Sequence, residues 1–82
     1  MNPPAPTTVV AEINRLYDEA QRLATESRAS LQAALAAAWS AGRLLLEEKK
    51  RVRRLMGGGA WLLWLEQNFH GTPRTAQNYM RL

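Results

Sequence analysis

The chain has 82 residues, no cysteine, one histidine and a net charge of +4, which limits it to one domain and excludes a disulfide framework, a thiolate metal site and a cysteine nucleophile. So short a chain buries only about 60% of its unfolded surface and is marginal as a lone monomer. The apolar run at 29–42 is ~21 Å long as a helix, short of a ~30 Å bilayer core, and no Lys or Arg precedes an apolar stretch at the start as in a signal peptide, so a cytoplasmic location without a membrane partner is expected.

Positions 1–8 carry Pro3, Pro4 and Pro6 and little that can pack, which predicts a flexible extended tail. Thr7 or Thr8 is then a simple helix cap; Ala11, three residues beyond Thr8, excludes a capping box. From 9 to 55 there is no proline, and Gly42 is the single glycine. Apolar or small residues recur in steps of three and four from Ile13, Leu16, Tyr17 and Ala20 through Leu31 and Leu35 to Leu45. Asn14, Arg15, Asp18, Glu19, Arg22, Glu26 and Gln32 form the opposite, polar side. This is the helical period, and the alanines around 33–38 add propensity, so a helix over 9–55 is predicted.

A straight helix of about 45 residues is ~68 Å long, more than twice the ~30 Å width of a compact body of this size. Either it folds back near 25–30 or another chain covers its apolar stripe. That stretch contains neither Gly nor Pro, which favours continuity. Ala20, Ser27, Ala34 and Ala41 stand at seven-residue intervals. Small residues so spaced let helices approach closely, as in a coiled coil, and mark a self-association stripe for a homodimer or a helical partner protein. The same stripe also suits coverage by the chain's own C-terminal helices.

The excess charge is concentrated at 43–54, where Arg43, Lys49, Lys50, Arg51, Arg53 and Arg54 stand against only Glu47 and Glu48. Such a block suits the C-terminal end of a helix dipole and also attracts phosphate. Gly57, Gly58 and Gly59 end the helix. Ala60 and Trp61 follow where a phosphate-binding loop requires Lys and Ser or Thr, so the glycines read as a stop and hinge. Trp61, Leu62, Leu65 and Phe69 share one broad face of a helix over 60–69. After a turn, Thr72 as cap and Pro73 at the first helical position start a helix over 73–82. The expected fold is all-α: a flexible tail at 1–8, then one domain over 9–82 in which a long N-terminal helix precedes a short helix-turn-helix-like pair.

On the last helix, Ala76, Tyr79 and Met80 point inward, while Arg74, Gln77, Asn78 and Arg81 share the opposite face at i, i+3, i+4 and i+7. Arg can bond guanine bidentately, and Gln and Asn match the donor–acceptor pair of adenine, so these four are candidate base contacts. Thr75 with the helix-start N–H groups, and Lys49, Lys50, Arg51, Arg53 and Arg54, are candidate phosphate contacts. An ordinary polar helix face is the plainer reading of the same spacing.

The run from Gly59 to Phe69 (GAWLLWLEQNF), continued by Arg74 to Leu82 (RTAQNYMRL), resembles domain-of-unknown-function family 3102 of phages and bacteria. The upstream helix with Gly42-Arg43-Leu44-Leu45-Leu46-Glu47 is similar to that family's long N-terminal helix, which extends the resemblance over about 10–82. His70 followed by Gly71 departs from the family pattern, in which a glycine directly follows the phenylalanine. The resemblance implies the helical architecture and a phage or mobile-element setting, and no established activity.

His70 is the sole imidazole and has no cysteine to join, so neither a triad nor a zinc site can be assembled; no enzyme, cofactor or small-molecule ligand is expected. Trp39, Trp61 and Trp64 read as core or interface residues before base-stacking platforms. Two functions follow as expectations. One is a small DNA-binding protein of helix-turn-helix type, acting as a phage or mobile-element regulator or accessory factor. The alternative is an oligomerising interaction module that binds no nucleic acid. A fragment of a longer protein is a further possibility, because the last helix runs to Leu82.

Overall fold

A computed structural model of the chain describes residues 7–26 and 28–82, and every regular element among them is an α-helix. In chain order these are α1 (Thr7–Ala24), α2 (Arg28–Met56), α3 (Ala60–Asn68) and α4 (Pro73–Arg81). The fold is all-α, as the periodicity predicts. Most of the tail expected at 1–8 lies outside the described residues; Thr7 and Thr8 are the first residues of α1 rather than a cap before it.

The helical region expected over 9–55 is divided, and α2 folds back along α1 as an antiparallel hairpin. The break uses neither Gly nor Pro. The Thr25 and Glu26 N–H groups bond the carbonyls three residues back, Arg22 at 3.3 Å and Leu23 at 3.2 Å. The Thr25 hydroxyl donates to the same Arg22 carbonyl at 2.8 Å. Tightened bonds and a side-chain donor thus satisfy the end carbonyls and stop α1. The long dimension of the body, 44 Å, is the length of α2 alone at about 1.5 Å per residue.

The hairpin also changes the role of the small-residue stripe. Ala20, Ala34 and Ala41 are 3%, 6% and 0% exposed, and Ala20 packs with Ala37 and Ala38 between the two helices. Short side chains let α1 and α2 approach closely, so the chain covers its own stripe and these residues are no self-association surface; Ser27 lies outside the described residues.

Gly57, at φ +92°, ends α2 in the left-handed conformation that favours glycine, with its N–H on the Arg53 carbonyl at 3.0 Å. The chain then turns back, and Trp61, Trp64 and Leu65 of α3 bury against Ile13, Leu45 and Val52 in the main core with Phe69 and Ala76. Leu62, expected on the inward face, is exposed; Trp64, stacked on Trp61 with ring centroids 5.1 Å apart, faces inward with Trp61 and Leu65. Thr72 caps α4 as expected, its hydroxyl accepting the Thr75 N–H at 3.1 Å, with Pro73 at the helix start. Thr72→Ala is expected to lower stability by about 1 kcal/mol in urea denaturation.

Candidate nucleic-acid interface

The aim of α4 is set chiefly by α2, along which it packs; it barely touches α3, and α1 reaches it through side chains at Tyr79. Its buried side is Ala76, fully covered, with Tyr79 and Met80 partly covered. At Gly42 the two backbones meet directly. A Cβ there would overlap the Tyr79 carbonyl oxygen and lie 2.6 Å from the carbonyl carbon. One residue on, the Arg43 guanidinium donates to the Met80 carbonyl at 2.8 Å, placing a cation at the negative end of the α4 dipole. The same guanidinium lies 5.2 Å from the Trp39 ring centroid. The Gln21 amide donates to the Tyr79 hydroxyl oxygen at 3.1 Å. Burial pushes that phenol above its ordinary pKa, and the Gln21 bond opposes the shift.

The turn before α4 is anchored on α1. Asn14, 7% exposed, donates from Nδ2 to the Asn68 carbonyl and accepts the His70 N–H at Oδ1, both at 2.8 Å. One amide thus holds both the end of α3 and the start of the turn. A Cβ on Gly71 would lie 2.7 Å from Tyr17 Cε1 and 2.8 Å from Phe69 Cε2, so the His70–Gly71 order fits a turn pressed onto two aromatic rings that meet edge to face. His70 Nδ1 stands 3.2 Å from both carboxylate oxygens of Asp18.

Arg74, Gln77, Asn78 and Arg81 are all exposed, and none of their side chains forms a hydrogen bond or ion pair within the described residues. The four lie on the outer side of α4, as their spacing predicts. Thr75 does not stand free for phosphate: its N–H and hydroxyl both engage Thr72 within the cap. Arg51 is a second correction. Glu48, 5% exposed, accepts two hydrogen bonds from it at 3.0 and 2.9 Å, a pairing that raises the Arg51 pKa further and neutralises its charge locally. Lys49, Lys50, Arg53 and Arg54 have no such partner among the described residues.

The fold joins these two groups of side chains. Lys49 and Arg53, one turn apart on α2, share an open cleft of about 480 Å³ with Trp61, Leu65, Pro73 and Gln77. Two cations therefore flank the start of α4, and Lys50 and Arg54 occupy the neighbouring flank of α2, about 100° round the helix. The contacts that aim α4, at Gly42, Asn14 and Arg43, do not emerge from the sequence pattern. The one available signal is a lone glycine inside an alanine-rich helix, which usually marks a close approach. No helix among the described residues is long and apolar enough to cross a membrane. Comparison with family models, curated proteins and solved structures finds no match in any of the three.

Proposed function

We propose that the chain is a small DNA-binding protein of helix-turn-helix type that acts in the cytoplasm with a second copy of itself, α4 being the helix that reads the duplex. The observation that supports this reading is the shared cleft. Lys49 and Arg53 stand beside the start of α4, so the helix carrying Arg74, Gln77, Asn78 and Arg81 is flanked by free cations that can hold phosphates while it enters a groove. Arg74, Gln77, Asn78 and Arg81 contact base edges; Lys49, Lys50, Arg53 and Arg54 contact phosphates; Arg51, already paired, does not. The resemblance to domain-of-unknown-function family 3102 supports the phage or mobile-element setting alone, within which we place a regulator or accessory role.

Anisotropy titration of a mixed-sequence duplex tests this. Binding is expected at 50 mM salt and weakens steeply by 200 mM. Lys49→Ala with Arg53→Ala lowers the slope of log K against log salt by about 2, whereas Arg51→Ala leaves it unchanged. Absence of binding at 50 mM salt ends the proposal. A second reading, an interaction module without nucleic-acid binding, is favoured by the exposure of Leu31, Leu35, Trp39, Leu62 and Leu63. Arg74→Glu with Arg81→Glu separates the two, abolishing DNA binding under the first and sparing partner capture under the second.

A further inference from the structure

α2 carries an uncovered apolar strip. Leu31, Leu35 and Trp39, at i, i+4 and i+8, are 51%, 57% and 49% exposed. Seven residues beyond Leu35, and so within about 20° of it around the helix, is Gly42, where α4 begins its contact with α2. The strip therefore continues the surface that α4 covers: the C-terminal half of this face packs against a helix, and the N-terminal half stands open. No residue between 29 and 42 is charged, so two copies of the strip can lie together without burying a charge, and Arg43 at its edge is already engaged with Met80 and Trp39.

We infer that the strip pairs with the same strip of a second copy, antiparallel, with the two-fold axis beside Leu35. The spacing that results argues for this occupant. α4 meets α2 at Gly42 and shares a cleft with Lys49 and Arg53, which sets its centre about twelve residues from Leu35. At 1.5 Å per residue, the two α4 helices stand roughly 36 Å apart along α2, close to the ~34–36 Å of one DNA turn between half-sites. This last step rests on the DNA-binding reading; the uncharged, continuous strip does not. The half-exposed Leu31, Leu35 and Trp39 supply on the order of 300 Å² per copy, well below the ~800 Å² per partner of a standard interface. The free dimer is accordingly weak, forming at high micromolar concentration and strengthened when two half-sites hold it.

The test uses the full chain without DNA, so its failure is distinct from failure of the DNA-binding reading. Sedimentation equilibrium from ~10 µM to ~1 mM is expected to show the mass rising toward twice the monomer value. Leu35→Glu, at an exposed position, abolishes the rise, and Leu62→Glu, on the exposed side of α3, leaves it intact. Since the chain has no cysteine, a single Leu35→Cys beside the two-fold axis forms an intermolecular disulfide under mild oxidation at least tenfold faster than Leu62→Cys. A constant monomer mass to 1 mM, a rise lost with Leu62→Glu but kept with Leu35→Glu, or equal crosslinking at both positions overturns the inference.

Discussion

Substitution of Gly42 by valine is expected to lift α4 off the hairpin while α1 and α2 stay helical. Two effects compete at this position. Replacing a mid-helix glycine with alanine gains about 1 kcal/mol of helix propensity. Against it, the new Cβ overlaps the Tyr79 carbonyl, which is backbone and cannot rotate away as a flexible side chain can. Relief requires separating α2 from α4, which costs about 1–3 kcal/mol for overpacking. It also strains the Arg43 bond to the Met80 carbonyl, a charged hydrogen bond of about 1.5–3 kcal/mol. The clash therefore outweighs the propensity. Gly42→Ala is expected to lose about 1–3 kcal/mol net, and Gly42→Val, bulkier and β-branched, more. At about 4–8 °C per kcal/mol for a domain of this size, thermal melts resolve either change, while circular dichroism before the melt retains most of the helical signal. Gly58, with nothing within 4 Å of its Cβ position, is the control, and Gly58→Ala is expected within about 0.5 kcal/mol of the parent. A Gly42→Ala protein as stable as the parent would show that α2 and α4 do not meet as described.

What could be read in advance was local. The period of three and four from Ile13 to Leu45, the Thr72–Pro73 start, the inward Ala76, Tyr79 and Met80 and the outward Arg74, Gln77, Asn78 and Arg81 each depend on spacing within one helix, and spacing is visible in a sequence. The hairpin was not legible in the same way, because Thr25 and Glu26 end α1 with bonds to Arg22 and Leu23 that leave no Gly or Pro signature. The alanines at 20, 34 and 41 suit a rod paired with another chain as well as a helix folded on itself. Only which surface arrives to cover them decides, and that is a non-local matter. The same limit applies to the basic block. Arg51 differs from Arg53 not in kind but in standing three residues from Glu48, a carboxylate that the fold buries. The cleft that joins Lys49 and Arg53 to Gln77 exists only once α4 has been laid along α2.

Asn14 carries the second large expected effect, because a single amide satisfies two backbone groups of the turn that aims α4. Asn14→Leu keeps the volume but leaves the Asn68 carbonyl and the His70 N–H without this partner in a part-buried site. At about 1–3 kcal/mol per unsatisfied group, less what the added apolar burial returns, a net loss of about 2–4 kcal/mol is expected in urea denaturation. Asn14→Asp dissects the pair. The carboxylate still accepts the His70 N–H, but its second oxygen faces the Asn68 carbonyl, a repulsion that only a protonated carboxyl relieves by donating there. Burial, that donation and the neighbouring Asp18 one turn away all favour the neutral form, so the folded pKa of the introduced carboxyl lies above its ordinary ~3.9. A group shifted upward contributes stability that is fully present below the unfolded pKa and is lost as pH rises through the folded pKa. The gap between Asn14→Asp and the parent is therefore expected to be widest at neutral pH and to narrow as pH falls toward 4, while the Asn14→Leu gap does not change with pH. A pH-independent Asn14→Asp penalty would show that the Nδ2 bond to Asn68 is not what holds the turn, and an Asn14→Leu protein within about 0.5 kcal/mol of the parent would release the turn, and the aim of α4, from α1.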